Sequence, residues 1–226
     1  MNFTPHREGY PYIAVFIAVT LIAFLWFGDW AGFIGLVLVA WCVYFFRDPE
    51  RAVPEIKGVL ISPADGVVCM VTTAAPPADL AMGESPRPRI SIFMNVFDCH
   101  VNRMPIAGKI IKMAYRPGKF LNASLDKASE DNERQSYHMR TEEGDDIACV
   151  QIAGLIARRI VSFVGEEQSL ERGQRFGMIR FGSRVDVYLA SGMVPNVSVG
   201  QRCFAGETII CDPRIRDETV PTAKMV

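Results

Sequence analysis

The sequence predicts a mainly β fold of the α+β class: a duplicated β-sandwich or flattened barrel, preceded by an N-terminal hydrophobic helical hairpin. Three observations predict it. Two uncharged apolar runs, Tyr12 to Phe27 and Trp30 to Phe46, open the chain and are separated by Gly28-Asp29. From Ala52 onward the pattern changes to short apolar or alternating stretches cut by Gly, Pro and Asp turns. Two late segments, Leu170 to Ile179 and Val197 to Ile209, share an apolar-x-x-Gly-Gln-Arg start followed by Gly and an isoleucine.

The two apolar runs are each slightly short of the roughly 20 residues that a spanning helix needs, and their aromatic ends extend them. They are read either as a hairpin crossing the bilayer twice, with Asp29 in the outer turn, or as a re-entrant pair lying in one leaflet. A buried helical pair of a soluble protein is the plain alternative, against which Trp26, Trp30, Trp41 and Tyr44 sit where interfacial anchors belong. A second apolar run follows at once and no small-residue cleavage site intervenes, which argues against a signal peptide. Arg7, Arg47 and Arg51 put positive charge on one side, so the domain after Arg51 is expected on the cytoplasmic side of the cell membrane. The domains expected are therefore 1–51, the anchor, and 52–226.

Strands are expected at Val59–Ile61, Gly66–Thr72, Arg89–Val96, Gly108–Tyr115, Ser136–Arg140, Ile147–Ile152, Arg159–Val164, Phe176–Phe181, Val185–Leu189 and Thr208–Cys211. Ala74 to Pro88 reads as a flexible proline-rich loop, and Asn122 to Arg134 as a short helix or lid. The Gly-Gln and Gly-Glu turns, with Ser62-Pro63-Ala64-Asp65-Gly66-Val67-Val68, resemble those of biotinyl and lipoyl carrier domains.

The 226 residues suffice for a real core, and a net charge of -1 with pI near 6.3 supplies no basic field for nucleic acid. The six cysteines are scattered, with no CxxC pair and no metal-ligand spacing beside the three histidines. They read as reduced core residues, and no metal is expected.

Gly182-Ser183 falls between two expected strands. A strained turn that held the Ser183 hydroxyl over the Gly182 carbonyl would allow amide-to-ester conversion, then elimination to dehydroalanine and hydrolysis to a pyruvoyl group, an electron sink. The plain alternative is an ordinary tight turn. Asp65 reads as a turn former or a catalytic carboxylate. His100 lies between an apolar strand and Pro105, and His138 alternates with apolar neighbours; both are acid-base candidates, with a satisfied core histidine as the alternative. Arg103, Arg116, Lys119 and Arg134 are candidate phosphate ligands or simply solvated cations.

Together these pieces resemble a phosphatidylserine decarboxylase proenzyme of the short form. The resemblance rests on Phe45-Phe46-Arg47-Asp48-Pro49, Ser62 to Gly66, Phe93-Met94-Asn95-Val96, Asp98 to Pro105, Asn132-Glu133-Arg134 and Phe181-Gly182-Ser183-Arg184, in the family's order. It implies self-cleavage into chains 1–182 and 183–226, which stay together as a heterodimer, with a pyruvoyl group from Ser183 as the covalent cofactor. That group would form a Schiff base with bilayer phosphatidylserine and release CO2 and phosphatidylethanolamine. Asn102, Arg103 and Arg134 would bind substrate. Longer members carry Leu-Gly-Ser-Thr at the cleavage point and a second histidine where Arg103 stands. An Asp65-His100-Ser183 relay therefore stays open beside a role for His100 in protonating the product, with His138 or Asp65 activating Ser183. The rival function is a non-catalytic membrane-anchored carrier or adaptor, although Lys112 lacks a carrier-like turn. A higher oligomer, such as a dimer, is open.

Overall fold

The computed structural model describes residues 4–118, 132–154, 159–180 and 182–214. The chain forms two compact units, Met1–Glu50 with Phe97–Cys99, and Arg51–Val96 with His100–Val226.

In the first unit a 3-10 turn leads into helices α1 (Tyr10–Phe27) and α2 (Asp29–Phe45). Gly28 breaks the helix between them at φ +79°. The two helices run antiparallel, because a Cβ built on Gly35 would stand 2.5 Å from Thr20 and one on Gly32 would stand 2.7 Å from Phe24. Small residues thus let the backbones approach. The open ends are tied by His6 N–H to Phe46 O at 2.7 Å and Asp48 N–H to Thr4 O at 3.1 Å. Both helices are apolar all round and leave Val15, Leu21, Leu25, Trp26, Trp30 and Leu36 exposed. The stretch Arg7–Phe27, 21 residues, is long and apolar enough to cross a membrane; α2, at 17 residues, is shorter.

The second unit is mainly β. Its strands are β1 (Leu60–Ile61), β2 (Gly66–Ala74), β3 (Arg87–Met94), β4 (Val101–Arg103), β5 (Gly108–Arg116), β6 (Arg134–Thr141), β7 (Asp146–Ala153), β8 (Ile160–Ser162), β9 (Ser169–Leu170), β10 (Arg175–Ile179), β11 (Ser183–Tyr188), β12 (Arg202–Cys203) and β13 (Ile209–Cys211). An eight-stranded sheet has the order β12-β2-β3-β11-β7-β6-β5-β9, beside a three-stranded sheet β4-β10-β8 and a pair β1-β13. The main core fills the space between one face of the large sheet, through Val68, Ile92, Tyr137 and Val185, and residues of the small sheets such as Leu60, Phe176, Ile179 and Ile210. Two expectations change here.

The Ala74–Pro88 segment is docked rather than loose. Its 3-10 turn Ala78–Leu80 buries Leu80 fully against Ala148, Val150, Ile152 and Tyr188 on the other face of the large sheet. One leucine with an apolar seat outweighs the proline-rich composition around it. The expected helix or lid at 122–134 lies outside the described residues up to 131, and Arg134 begins β6.

The repeat also has a different register. Gly66 pairs with Cys203 as Gly108 pairs with Leu170. Gly200 N–H donates to Val68 O as Glu167 N–H donates to Ile110 O, and Gly206 N–H donates to Ser62 O as Gly173 N–H donates to Met104 O. Gly173 therefore matches Gly206, not Gly200; the shared Gly-Gln-Arg letters align turns that do different jobs.

Candidate functional site

Ser183 is the first residue of β11, not a turn residue. The chain leaves the three-stranded sheet at Ile179 and enters the centre of the large sheet at Ser183, where β11 pairs with both β3 and β7. Gly182, at φ +55°, makes this crossing in a left-handed conformation that other residues adopt at a cost. Ser183 sits opposite Met94 on one side and Ala153 on the other, fully buried. Its hydroxyl donates to the Met94 Sδ at 3.4 Å, a weak acceptor that leaves the oxygen nucleophilic but still protonated.

Asp65 ends the turn between β1 and β2. Its carboxylate accepts from Arg51 Nη2 at 2.9 Å on Oδ1 and 2.7 Å on Oδ2, and Oδ1 also accepts the Ala205 N–H at 2.8 Å. Gly66 follows because a Cβ there would stand 2.1 Å from Phe93 O. Burial pushes the neighbouring Cys203 thiol up to about 11, so it stays neutral beside this turn.

His100 precedes β4 and is fully buried; its carbonyl accepts the Ile179 N–H at 3.2 Å, which brings it to the chain that runs into Gly182-Ser183. Arg103 N–H donates to Pro63 O at 2.9 Å, and its Nη1 to Gly173 O at 3.0 Å. A Cβ on Gly206 would stand 3.1 Å from both Arg103 Cδ and Arg51 Cβ, so these two arginines flank the same glycine beside Asp65. Asn102 is fully buried, with its amide used inside the protein: Nδ2 donates to Pro63 O at 3.3 Å, and Oδ1 accepts Gln151 Nε2 at 2.7 Å.

The structure does not bring His138 to Ser183. Residues opposite one another in an antiparallel pair share a face. His138 pairs with Ala148, Ala148 with Tyr188, and Tyr188 lies five positions from Ser183 along the regular strand β11, hence on the other face. There its Nε2 lies 3.0 Å from Asp146 Oδ1. Arg134 is in the row with Ile152 and Arg184 on that same face, and its Nη2 reaches Asp79 Oδ2 at 2.9 Å. Arg116, opposite Arg134, is exposed, and Lys119 lies outside the described residues. Arg184 itself is fully buried, with Nη2 2.9 Å from Asp186 Oδ2.

Sequence reasoning does not single out Arg51, Met94, Gln151 or Asn132 as site residues: Met94 and Asn132 enter only within segments that carry the resemblance, and Arg51 only as a membrane-side charge. Asn132 Nδ2 donates to Ala153 O at 2.8 Å, one strand away from Ser183. Gln151 carried a readable signal, since it is the one polar residue inside the run Ile147 to Ile152. Among the described residues no group of three or more His, Cys, Asp or Glu is arranged to hold a metal ion.

The geometry is that of a buried serine behind a left-handed glycine, with an arginine-held aspartate and a histidine on neighbouring elements. The family model for phosphatidylserine decarboxylase matches residues 38–211, which include all of these groups. A phosphatidylserine decarboxylase proenzyme of Cereibacter sphaeroides is 57% identical over 208 residues, covering 92% of this chain and 89% of that protein. One of Ruegeria pomeroyi is 55% identical over 209 residues, covering 92% and 94%. The chain belongs to the phosphatidylserine decarboxylase family.

Proposed function

We propose that this decarboxylase is made as a proenzyme that cuts itself between Gly182 and Ser183 and acts on phosphatidylserine through a pyruvoyl group derived from Ser183. The observation that carries the reading is the Gly182-Ser183 junction itself: a left-handed glycine delivering a fully buried serine whose hydroxyl donates to a thioether. Ser183 Oγ adds to the Gly182 carbonyl carbon and the C–N bond breaks, giving an ester and a free amine. Removal of the Ser183 α-proton expels the Gly182 carboxylate and leaves dehydroalanine; water then displaces its nitrogen as ammonia. The ketone so formed supplies an electron sink for the bond to the departing carboxylate. The chain's own residues fit such a group, because the strand start that carries it is buried rather than open to bulk solvent.

Of the two histidines, His100 is assigned the proton-handling role, since it lies beside the chain leading to Ser183 while His138 is on the opposite face. Asp65, fixed by Arg51 and the Ala205 N–H, is the partner carboxylate. Arg103 is retained as the headgroup candidate, and Asn102 and Arg134 are not. The division into an anchor, 1–51, and a catalytic domain, 52–226, belongs to the same reading, as do a two-chain product, 1–182 with 183–226, and attachment to the cytoplasmic face of the cell membrane. The mirrored strand order of the large sheet supports a duplicated β unit. Nothing favours a carrier module, because Lys112 lies within β5, paired to His138.

Intact mass under denaturing conditions, before and after borohydride reduction with phosphatidylserine present, tests the reading. Two chains split at Gly182/Ser183, the smaller lacking a free amine and gaining a reduced adduct, are expected. Ser183→Ala should leave one uncut, inactive chain; two chains and full activity in that variant would overturn the proposal.

A further inference from the structure

A line of buried polar side chains runs into Ser183 from the interior, and no step of the self-cleavage chemistry uses it. Tyr137 OH donates to Gln151 Oε1 at 2.8 Å, Gln151 Nε2 donates to Asn102 Oδ1 at 2.7 Å, and Asn102 Nδ2 donates to Pro63 O at 3.3 Å. The same Asn102 Nδ2 lies 3.8 Å from Met94 Sδ, the atom that receives the Ser183 hydroxyl. Asn102, Gln151, Met94 and Ser183 have no exposed surface, and neither has Tyr137.

The line has one polarity. Each amide spends its oxygen on the donor before it and its nitrogen on the acceptor after it, so flipping Asn102 would turn its oxygen toward Pro63 O. The polarity is set at Tyr137, whose phenol is pushed up by burial and remains a donor throughout the working pH range. Room for the Gln151 amide is left by Gly177, where a Cβ would stand 2.9 Å from Nε2.

Three elements meet at Asn102. Pro63 belongs to the turn that carries Asp65, β4 follows His100 directly, and Met94 holds Ser183. A methionine has three rotatable bonds and does not place a hydroxyl by itself; the amide nitrogen against its sulfur restricts it. Small displacements of a nucleophile cost large factors in rate. We propose that Tyr137, Gln151 and Asn102 are positioning residues for self-cleavage, locking the Asp65 turn, the His100 strand and the Ser183 hydroxyl into one arrangement. This rests on the self-processing reading. It also removes Asn102 from the headgroup site, since the amide faces the interior.

The test follows the conversion of newly made single chain into two chains, in wild type, Tyr137→Phe and Gln151→Glu. The glutamate is isosteric: protonated, it donates to Asn102 Oδ1 as the amide does, and ionised, it repels that oxygen. Its cleavage rate relative to wild type should rise at least tenfold between pH 8.5 and 6. Tyr137→Phe should cleave at least tenfold more slowly than wild type at every pH, with its melting temperature within a few degrees. Once matured, it should keep the wild-type KM for phosphatidylserine within twofold.

A pH-independent ratio near one for Gln151→Glu, together with wild-type cleavage by Tyr137→Phe, would overturn the inference. So would a severalfold rise in KM, which would mean that the line serves substrate binding. The core variant Val187→Ala controls for stability: if it slows cleavage as much as Tyr137→Phe at the same loss of melting temperature, the line is only structural. A wild-type chain that never splits would instead refute the self-processing reading, and this inference with it.

Discussion

Gly182 and Gly66 flank the site and are both glycines at positive φ, yet substitution should affect them differently. At Gly182, φ is +55° and an added Cβ meets nothing within 4 Å among the described residues, so the cost of a side chain there is that of the backbone conformation. For an L-residue in the left-handed region that is about 1–2 kcal/mol. At Gly66 the added Cβ lies 2.1 Å from Phe93 O, a backbone atom one residue before Met94. Relief there requires β3 to move, and Met94 would move with it. We expect Gly182→Ala, made in the uncut Ser183→Ala background to keep one chain, to unfold in urea with a loss of about 1 kcal/mol. Gly66→Ala in that background should fail to accumulate as folded protein. A Gly66→Ala protein as stable as its parent would contradict the close approach of Gly66 to β3.

At the scale of elements, the β6–β7 hairpin carries an acid-sensitive clasp. The Arg140 guanidinium holds the Asp146 carboxyl below its ordinary value of 3.8, with a further contribution from His138. A carboxylate depressed in the folded state adds stability that is fully present above the unfolded pKa and is lost as pH falls through the folded one. The melting-temperature difference between wild type and Asp146→Asn should therefore shrink as pH falls below about 4. A difference that stays constant down to pH 3 would show that the clasp does not contribute. The centres of both strands were legible in the sequence, Ser136–Arg140 as a short alternation of polar and apolar residues and Ile147–Ile152 as an apolar run, and the structure extends each to eight residues. Strands β4, β9 and β12 were not, since two or three residues such as Arg202-Cys203 carry no period. The same limit applied at the site. Ser183, Asp65 and His100 stand in turns or beside strand ends, where polar residues draw attention. Met94 and Tyr137 sit inside apolar alternation, and only their neighbours across the sheet reveal what they hold. Arg51 misled for a different reason: a charge following an apolar run looks like a membrane-side anchor, and its buried carboxylate partner is 14 positions away.

The whole molecule joins a water-soluble type of β core to a helical pair that water does not suit. In the first unit α1 buries none of its residues and α2 buries Gly35, Cys42 and Phe45, so an apolar surface faces outward on all sides. Burying such surface in lipid gains about 25 cal/mol per Å², which favours insertion over a solvated hairpin. Length then decides between spanning and dipping. At about 1.5 Å per residue, the 18 residues of α1 and the 17 of α2 both fall a little short of a hydrocarbon core of about 30 Å, unless the turn Arg7–Gly9 extends the first and Phe46 and Arg47 extend the second. Arg47 is placed to do so: its guanidinium lies 3.9 Å from the Tyr44 ring centroid and donates to Tyr44 O at 2.9 Å, an arrangement suited to the interface. We therefore expect a double span with Asp29 on the far side from Arg7 and Arg47. An Asp29→Cys variant in intact cells distinguishes the two arrangements. Modification by a membrane-impermeant maleimide added outside, while a cysteine placed at Glu50 reacts only after lysis, is the expected result. If Asp29→Cys is reached only after lysis as well, the hairpin dips into one leaflet and returns, and the shortness of both helices is the reason.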